Sequence, residues 1–256
     1  MSETRKTVQD IPLYESGTLR RVSGDTIRPG GYALTERALS FCDFERGARV
    51  VDVGCGTGAT VEYLIRNWHF AAIGVDPSEK LLEEGKKRNA DLPLYSGVGE
   101  ALPLASDSMD GILAECTLSL MDYHRALLEF SRVLKVGGWL LVTDVYARDS
   151  RGIGNLHRLP VRSCVTGALT TDELRRGVEE SGFEWVLWED HSKLLAEFTV
   201  RIIFANGSLA EFWGATCGGD SMDCCALQAA IDQSRPGYFL MLARKRENPL
   251  QGGDTK

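Results

Sequence analysis

The segment VVDVGCGTGATVEYL, residues 50–64, constrains the fold more than any other part of this chain. Val50, Val51 and Val53 read as a buried strand, but Asp52 interrupts the apolar run and Gly54, Gly56 and Gly58 follow it directly. A strand that enters a helix through three glycines leaves backbone N–H groups open at the helix start. In a parallel sheet, that is where ligands bind.

The rest of the sequence supplies such a sheet. Strands are expected at residues 49–53, 71–76, 93–96, 109–114 and 139–145, with helices from about residues 58, 78 and 121 filling most of the gaps. A helix within YALTERALSF precedes them, Thr35 lying near its start. The helix from about residue 121 should stop at KVGG, where Gly137 can take the left-handed conformation, so that Trp139 opens the fifth strand. Thr170 or Thr171 can cap a helix in TTDELRRGVEESGF, and Gly182 can end it.

FEWVLWED and YFLMLARK read as the last two strands. About 45 residues separate them, far more than the usual ~2–6 of a connection, and include an amphipathic helix from Ser192. The pattern predicts an α/β fold, a doubly wound, mainly parallel seven-stranded sheet with a helical, cysteine-rich cap insertion. The expected segments are an N-terminal arm (1–34), a core (35–191), the cap (192–235), and a last strand with a polar tail (236–256).

Bulk properties narrow the partner. The 256 residues are 43% hydrophobic, enough for one main core. No charged start followed by an apolar run opens the chain, and KLLAEFTVRIIF is broken by Glu197 and Arg201, so a cytoplasmic protein without a membrane span is expected. A net charge of −7 argues against a nucleic-acid partner, although ARKRE could form a local basic patch. A small molecule is the better expectation.

GCGTGA satisfies the loose dinucleotide pattern GxGxxG/A, so the loop alone does not choose between cofactor classes. Asp52 does better, because its carboxylate would repel a pyrophosphate but could help hold a cationic amino group. VDVGCGTG resembles motif I of the class I S-adenosylmethionine-dependent methyltransferases, whose fold is Rossmann-like and whose cofactor carries an ammonium, a sulfonium and no phosphate. IGVDPS, GVGEALPLASDSMDGI and RVLKVGGWLLVTDV resemble that family's later blocks, over about residues 35–190. The resemblance implies that Gly54, Cys55, Gly56 and Gly58 form the cofactor loop and that Asp76, before Pro77, accepts the ribose hydroxyls. It places adenine near Gly99 and Glu100. Val98 stands where the family usually has an acid, which leaves backbone groups and apolar walls to hold adenine, with Glu100 either sharing in this or serving the structure.

Acceptor chemistry is less fixed. No CxxC pair, no acidic metal cluster of catechol-methyltransferase type and no NPPY-like signature occurs, so no metal is expected. His69, His124, His157 and His191 have no motif context and read as surface or capping residues. The cysteines carry a sharper hint. AECTLSL, TDVYAR and SCVTGALTTDEL resemble three blocks of the arsenite methyltransferases, which implies a thiol ligand role for Cys164 and a block position beside the cofactor for Cys116. Soft thiolates suit trivalent arsenic. That family's thiol ahead of motif I has no counterpart in RVSGDTIRPGGYAL, so further ligands would come from Cys217, Cys224 or Cys225. Ordinary reduced cysteines remain the alternative.

The first reading is therefore methyl transfer to a small-molecule acceptor, with a thiol-bound metalloid the most specific candidate. YHRALLEFSRVLKVGG also resembles carbon and oxygen methyltransferases of quinone and polyketide type. A non-catalytic S-adenosylmethionine-binding protein comes third, and a dehydrogenase, against which Asp52 argues, last.

Overall fold

The computed structural model describes residues 12–15, 17–158, 162–216 and 224–247. The chain opens with α1 (Pro12–Glu15), α2 (Thr18–Ser23) and α3 (Gly31–Leu39). The core then follows as β1 (Arg49–Val53), α4 (Ala59–Tyr63), β2 (Ala71–Asp76), α5 (Glu79–Arg88), β3 (Leu94–Ser96), β4 (Met109–Glu115), α6 (Tyr123–Val133) and β5 (Leu134–Ala147). A short α7 (Ile153–Leu156) precedes α8 (Thr171–Glu180) and β6 (Phe183–Asp190). Next come α9 (Ser192–Asn206), α10 (Leu209–Thr216), α11 (Cys224–Ser234) and β7 (Pro236–Lys245).

The seven strands form one sheet in the order β3-β2-β1-β4-β5-β7-β6. The first five run parallel, and β7 pairs antiparallel with both β5 and β6. The order reverses beside β1, so a crevice opens beyond the C-terminal ends of β1 and β4. Helices on both faces explain why the central strands are apolar throughout: Val51 and Val53 pack on one face with Leu127, Phe130 and Val178, and Val50 on the other with Leu39, Leu64 and Leu82.

Local chemistry sets the helix starts. Ser78 accepts from Leu81 N at the head of α5, Asp122 from Arg125 N at α6. Thr170 and Glu173 form a reciprocal capping box at α8, which the chain leaves through Gly182 at φ +88°.

Two local expectations need correction. Helix α6 does not run to KVGG; it ends at Val133, and Leu134 is already extended and paired with Met109. The register then slips before Gly111 meets Trp139, so residues 135–138 bulge from the ladder. Gly137, at φ +75°, turns this bulge, and its carbonyl accepts from Arg244 Nε at 2.8 Å. The pairing with β4 claims the backbone before a helix cap can form. Thr35, in turn, is buried inside α3, which starts four residues earlier at Gly31.

The N-terminal helices meet the segment between β6 and β7. Leu13 and Leu19 share a buried cluster with Ile202, Phe212, Trp213 and Leu227, away from the sheet. Among the described residues no helix is long and apolar enough to cross a membrane.

Candidate active site

A cavity of about 580 Å³ lies over the C-terminal ends of β1, β2 and β4. Its wall brings together Asp52, Gly54, Cys55, Gly56, Asp76, Pro77, Gly99, Glu100 and Cys116. Gly58 stands behind this wall and heads α4.

The loop after β1 is held against β2, with Gly54 N and Cys55 N both donating to Val75 O. Asp76 locks it in place: Oδ2 accepts from Gly56 N at 2.7 Å and Oδ1 from Ser78 N at 2.8 Å. Burial raises this carboxyl's pKa, and the two backbone bonds oppose the rise. A Cβ on Gly56 would meet nothing nearer than Leu81 Cδ1 at 4.0 Å, yet the residue sits at φ +54° beside the open cleft. The protein leaves that space clear. Cys55 is buried, and burial and the charge of Asp52 push its thiol pKa up.

An ionic network floors the cleft. Arg28 places Nη2 2.9 Å from Glu115 Oε2 and 2.8 Å from Thr35 Oγ1, and Nη1 3.1 Å from Thr60 Oγ1. Thr35 and Thr60 donate in turn to the two Glu115 oxygens. Arg28 Nε is buried without a hydrogen-bond partner. Nearby Asp52 is 3% exposed, and burial and the Glu115 charge push its carboxyl pKa well up, with Arg28 opposing.

Arg28, Thr35, Thr60 and Glu115 were not identified from sequence. One signal was available: Glu115 closes the buried strand MDGILAE as Asp52 interrupts VVDV, an acid without an evident partner on a strand buried from both sides.

On the adenine side of the expected layout, Val98, Gly99, Leu120 and Met121 line the cleft. Glu100 Oε1 accepts from Asp122 N at 2.7 Å, ahead of α6, so this carboxylate is tied to the structure.

A second cavity of about 140 Å³ adjoins the first, with Tyr14, Ile27 and Cys116 in both walls. Leu195 and Phe198 of α9, Phe212 and Trp213 of α10, and Val145 make it strongly apolar. Its described lining holds no carboxylate, histidine, lysine or arginine.

Cys164 lines only this chamber. Tyr14 Oη lies 3.2 Å from Cys164 Sγ and accepts from Cys164 N at 3.1 Å. Cys116 Sγ lies 3.3 Å from Tyr238 Oη, which donates to Thr143 Oγ1. The Cys164 thiol and burial together push the Cys116 thiol pKa well up. Cys217 and the side chains of Cys224 and Cys225 lie outside the described residues. None of the four histidines lines either cavity; His157 bonds Ala168 O and His191 bonds Glu189.

Residues 51–142 match the sequence family described as a methyltransferase domain. Sheet order and cleft give the chain a class I, Rossmann-like fold, and its residues 51–142 are similar to a methyltransferase domain. The chain is 36% identical over 117 residues to the uncharacterized methyltransferase YodH of Bacillus subtilis, over 44% of this chain and 50% of the relative. It is 31% identical over 133 residues to methyltransferase GfsG of Streptomyces halstedii, over 49% of this chain and 48% of the relative. The chain thus spans about half the length of these two curated relatives. The crystal structure of the [4+2]-cyclase SpnF has the same fold, with a TM-score of 0.72 and 23% identity over 96% of this chain and 98% of that one.

Proposed function

We propose that this protein transfers a methyl group from S-adenosylmethionine to an apolar small organic molecule seated in the second cavity. One observation carries this reading: the two cavities share Tyr14, Ile27 and Cys116, so a molecule in the apolar chamber stands against a wall of the cofactor cleft.

The cleft fits the cofactor. Asp76 keeps carboxylate lone pairs for the ribose hydroxyls while its backbone bonds fix its aim. Asp52 suits the ammonium, since a cation beside it would offset the burial that raises its pKa. The unpartnered Nε of Arg28 suits the carboxylate at the same end. Gly54 and Gly56 let the ligand approach the backbone, the wall near Gly99 takes adenine, and Gly58 and Cys55 support the loop without chemistry of their own. When bound, the cofactor supplies an electrophilic methyl carbon on a sulfonium.

The chain's own contribution is alignment and exclusion of water. The chamber wall offers Tyr14, Ser163, Cys164 and Thr199 as hydrogen-bonding groups. Burial, with Cys164 adding to it, pushes the Tyr14 pKa well up, so its phenol stays protonated and can donate a hydrogen bond. An acceptor with its own acidic proton, an enolisable carbon or a phenol, matches this wall best. The demethylmenaquinone methyltransferase of Corynebacterium efficiens, to which the chain is 31% identical over 127 residues, 44% of this chain and 54% of that relative, bears a name compatible with such an acceptor.

The test is S-adenosylhomocysteine formation with a panel of phenols and β-dicarbonyl compounds. Turnover on an apolar member, lost in Leu195→Glu while cofactor affinity is kept, is the expected result. Turnover confined to charged acceptors, or cofactor binding with no turnover across the panel, overturns it.

A second reading, a thiol-bound metalloid such as arsenite, draws on the proximity of Cys116 and Cys164. It predicts arsenite-dependent turnover that disappears in Cys164→Ser.

A further inference from the structure

Cys116 and Cys164 are 48 positions apart in sequence, but their sulfurs and a carboxylate oxygen of Asp144 lie within 4.8 Å of one another. Such a trio resembles a metal site. The carboxylate, however, is already occupied, accepting from Ser119 N at 2.9 Å, Ser119 Oγ at 2.9 Å and Val145 N at 2.7 Å. Two thiols therefore remain as the reactive pair.

A second observation concerns the backbone. Cys116 sits at φ +59°, a region that side chains other than glycine and asparagine rarely adopt, immediately after β4. Its N–H is fixed to Thr143 O at 2.7 Å. Cys116 lines both cavities, and its Sγ lies within 4.8 Å of Cys164 Sγ. Cys164 is half-buried on the chamber wall, whereas Cys116 is buried. An incoming reagent meets Cys164 first.

We infer that Cys116 and Cys164 form a modification site, a dithiol that a low-molecular-weight disulfide closes into an intramolecular bridge. The Cys164 thiolate attacks one sulfur of the reagent, forming a mixed disulfide and releasing one thiol. Cys116 gives up its proton and attacks Cys164 Sγ, breaking the mixed disulfide and releasing the second thiol. The two cysteines lose two electrons and two protons, and the reagent is reduced to two thiols. Closure takes Cys164 Sγ away from Tyr14 and ties the end of β4 to the segment before α8, across the wall shared by the cavities. Methyl-donor chemistry plays no part in this step, so its success or failure leaves the proposed methyl transfer untouched.

The test treats the full chain with bis(2-hydroxyethyl) disulfide, blocks remaining thiols under denaturing conditions and maps the peptides by mass. The expected product joins the Cys116 and Cys164 peptides and is lighter by two hydrogens than the sum of the reduced pair. Cys116→Ser should stop at a hydroxyethylthio adduct on Cys164, and Cys164→Ser should leave Cys116 unmodified. A persistent adduct on wild-type Cys164, or a bridge from it to Cys217, Cys224 or Cys225, overturns the inference. The wild-type map decides the matter even where a variant fails to fold.

Discussion

Arg28 Nη2 lies 2.9 Å from Glu115 Oε2, with the two side chains only 7% and 6% exposed, so one ion pair fastens the N-terminal segment to the strand floor of the cleft. Thr35 and Thr60 bridge the same pair, which couples α3 and α4 to β4.

Arg28→Met should lower the free energy of unfolding by about 3–5 kcal/mol, because Glu115 is left charged and buried without its partner. Adding Glu115→Leu should recover much of that loss. Urea denaturation of both variants checks this, and equal losses in the single and double variants would contradict it.

Asp76→Ala should weaken S-adenosylmethionine binding by about 1.5–3 kcal/mol, since two charge-assisted bonds to the ribose are lost. It also frees Gly56 N and Ser78 N, which Asp76 holds at 2.7 and 2.8 Å. Isothermal calorimetry gives the answer; an unchanged affinity would remove Asp76 from the cofactor site.

Gly56→Val should fold and fail to bind the cofactor. Its Cβ would meet no protein atom nearer than 4.0 Å, so the folding cost is mainly that of φ +54°, roughly 1–2 kcal/mol. The branched side chain would stand where the ligand needs backbone contact. Thermal unfolding and calorimetry on the same sample separate the two effects, and normal binding would refute this reading of the loop.

Asp144 gives a pH signature. Burial raises its carboxyl to about 6 against the opposing bonds from Ser119 and Val145. A raised acid holds its proton more tightly in the folded chain, so its contribution is greatest below pH ~4, falls as pH rises to ~6 and is level above, a loss of about 3 kcal/mol. Asp144→Asn should remove this component. The fall in stability between pH 4 and 7, measured by urea denaturation, should be smaller in the variant by about that amount; identical falls would disprove it.

Strand and helix alternation, the capped start of α8, and the loop from Gly54 to Gly58 were legible because each depends on a few neighbouring residues: β-branched runs, a Thr before a helix, glycine where φ is positive. The same locality made Asp52 and Asp76 visible, as acids at the ends of apolar strands. Gly137 shows where this stops. Its left-handed conformation was foreseen, but whether it ends a helix or turns a bulge depends on Leu134 pairing with Met109, a contact made across the sheet.

The sequence by itself determined the doubly wound sheet and the glycine-lined cleft, because hydrophobic period and backbone conformation are encoded within short windows. Only the tertiary structure decided that Arg28 meets Glu115, that Cys116 faces Cys164, and that α1 and α2 close an apolar chamber with α9, α10 and α11. Those pairings join residues far apart in sequence, and packing selects them from many chemically equivalent partners.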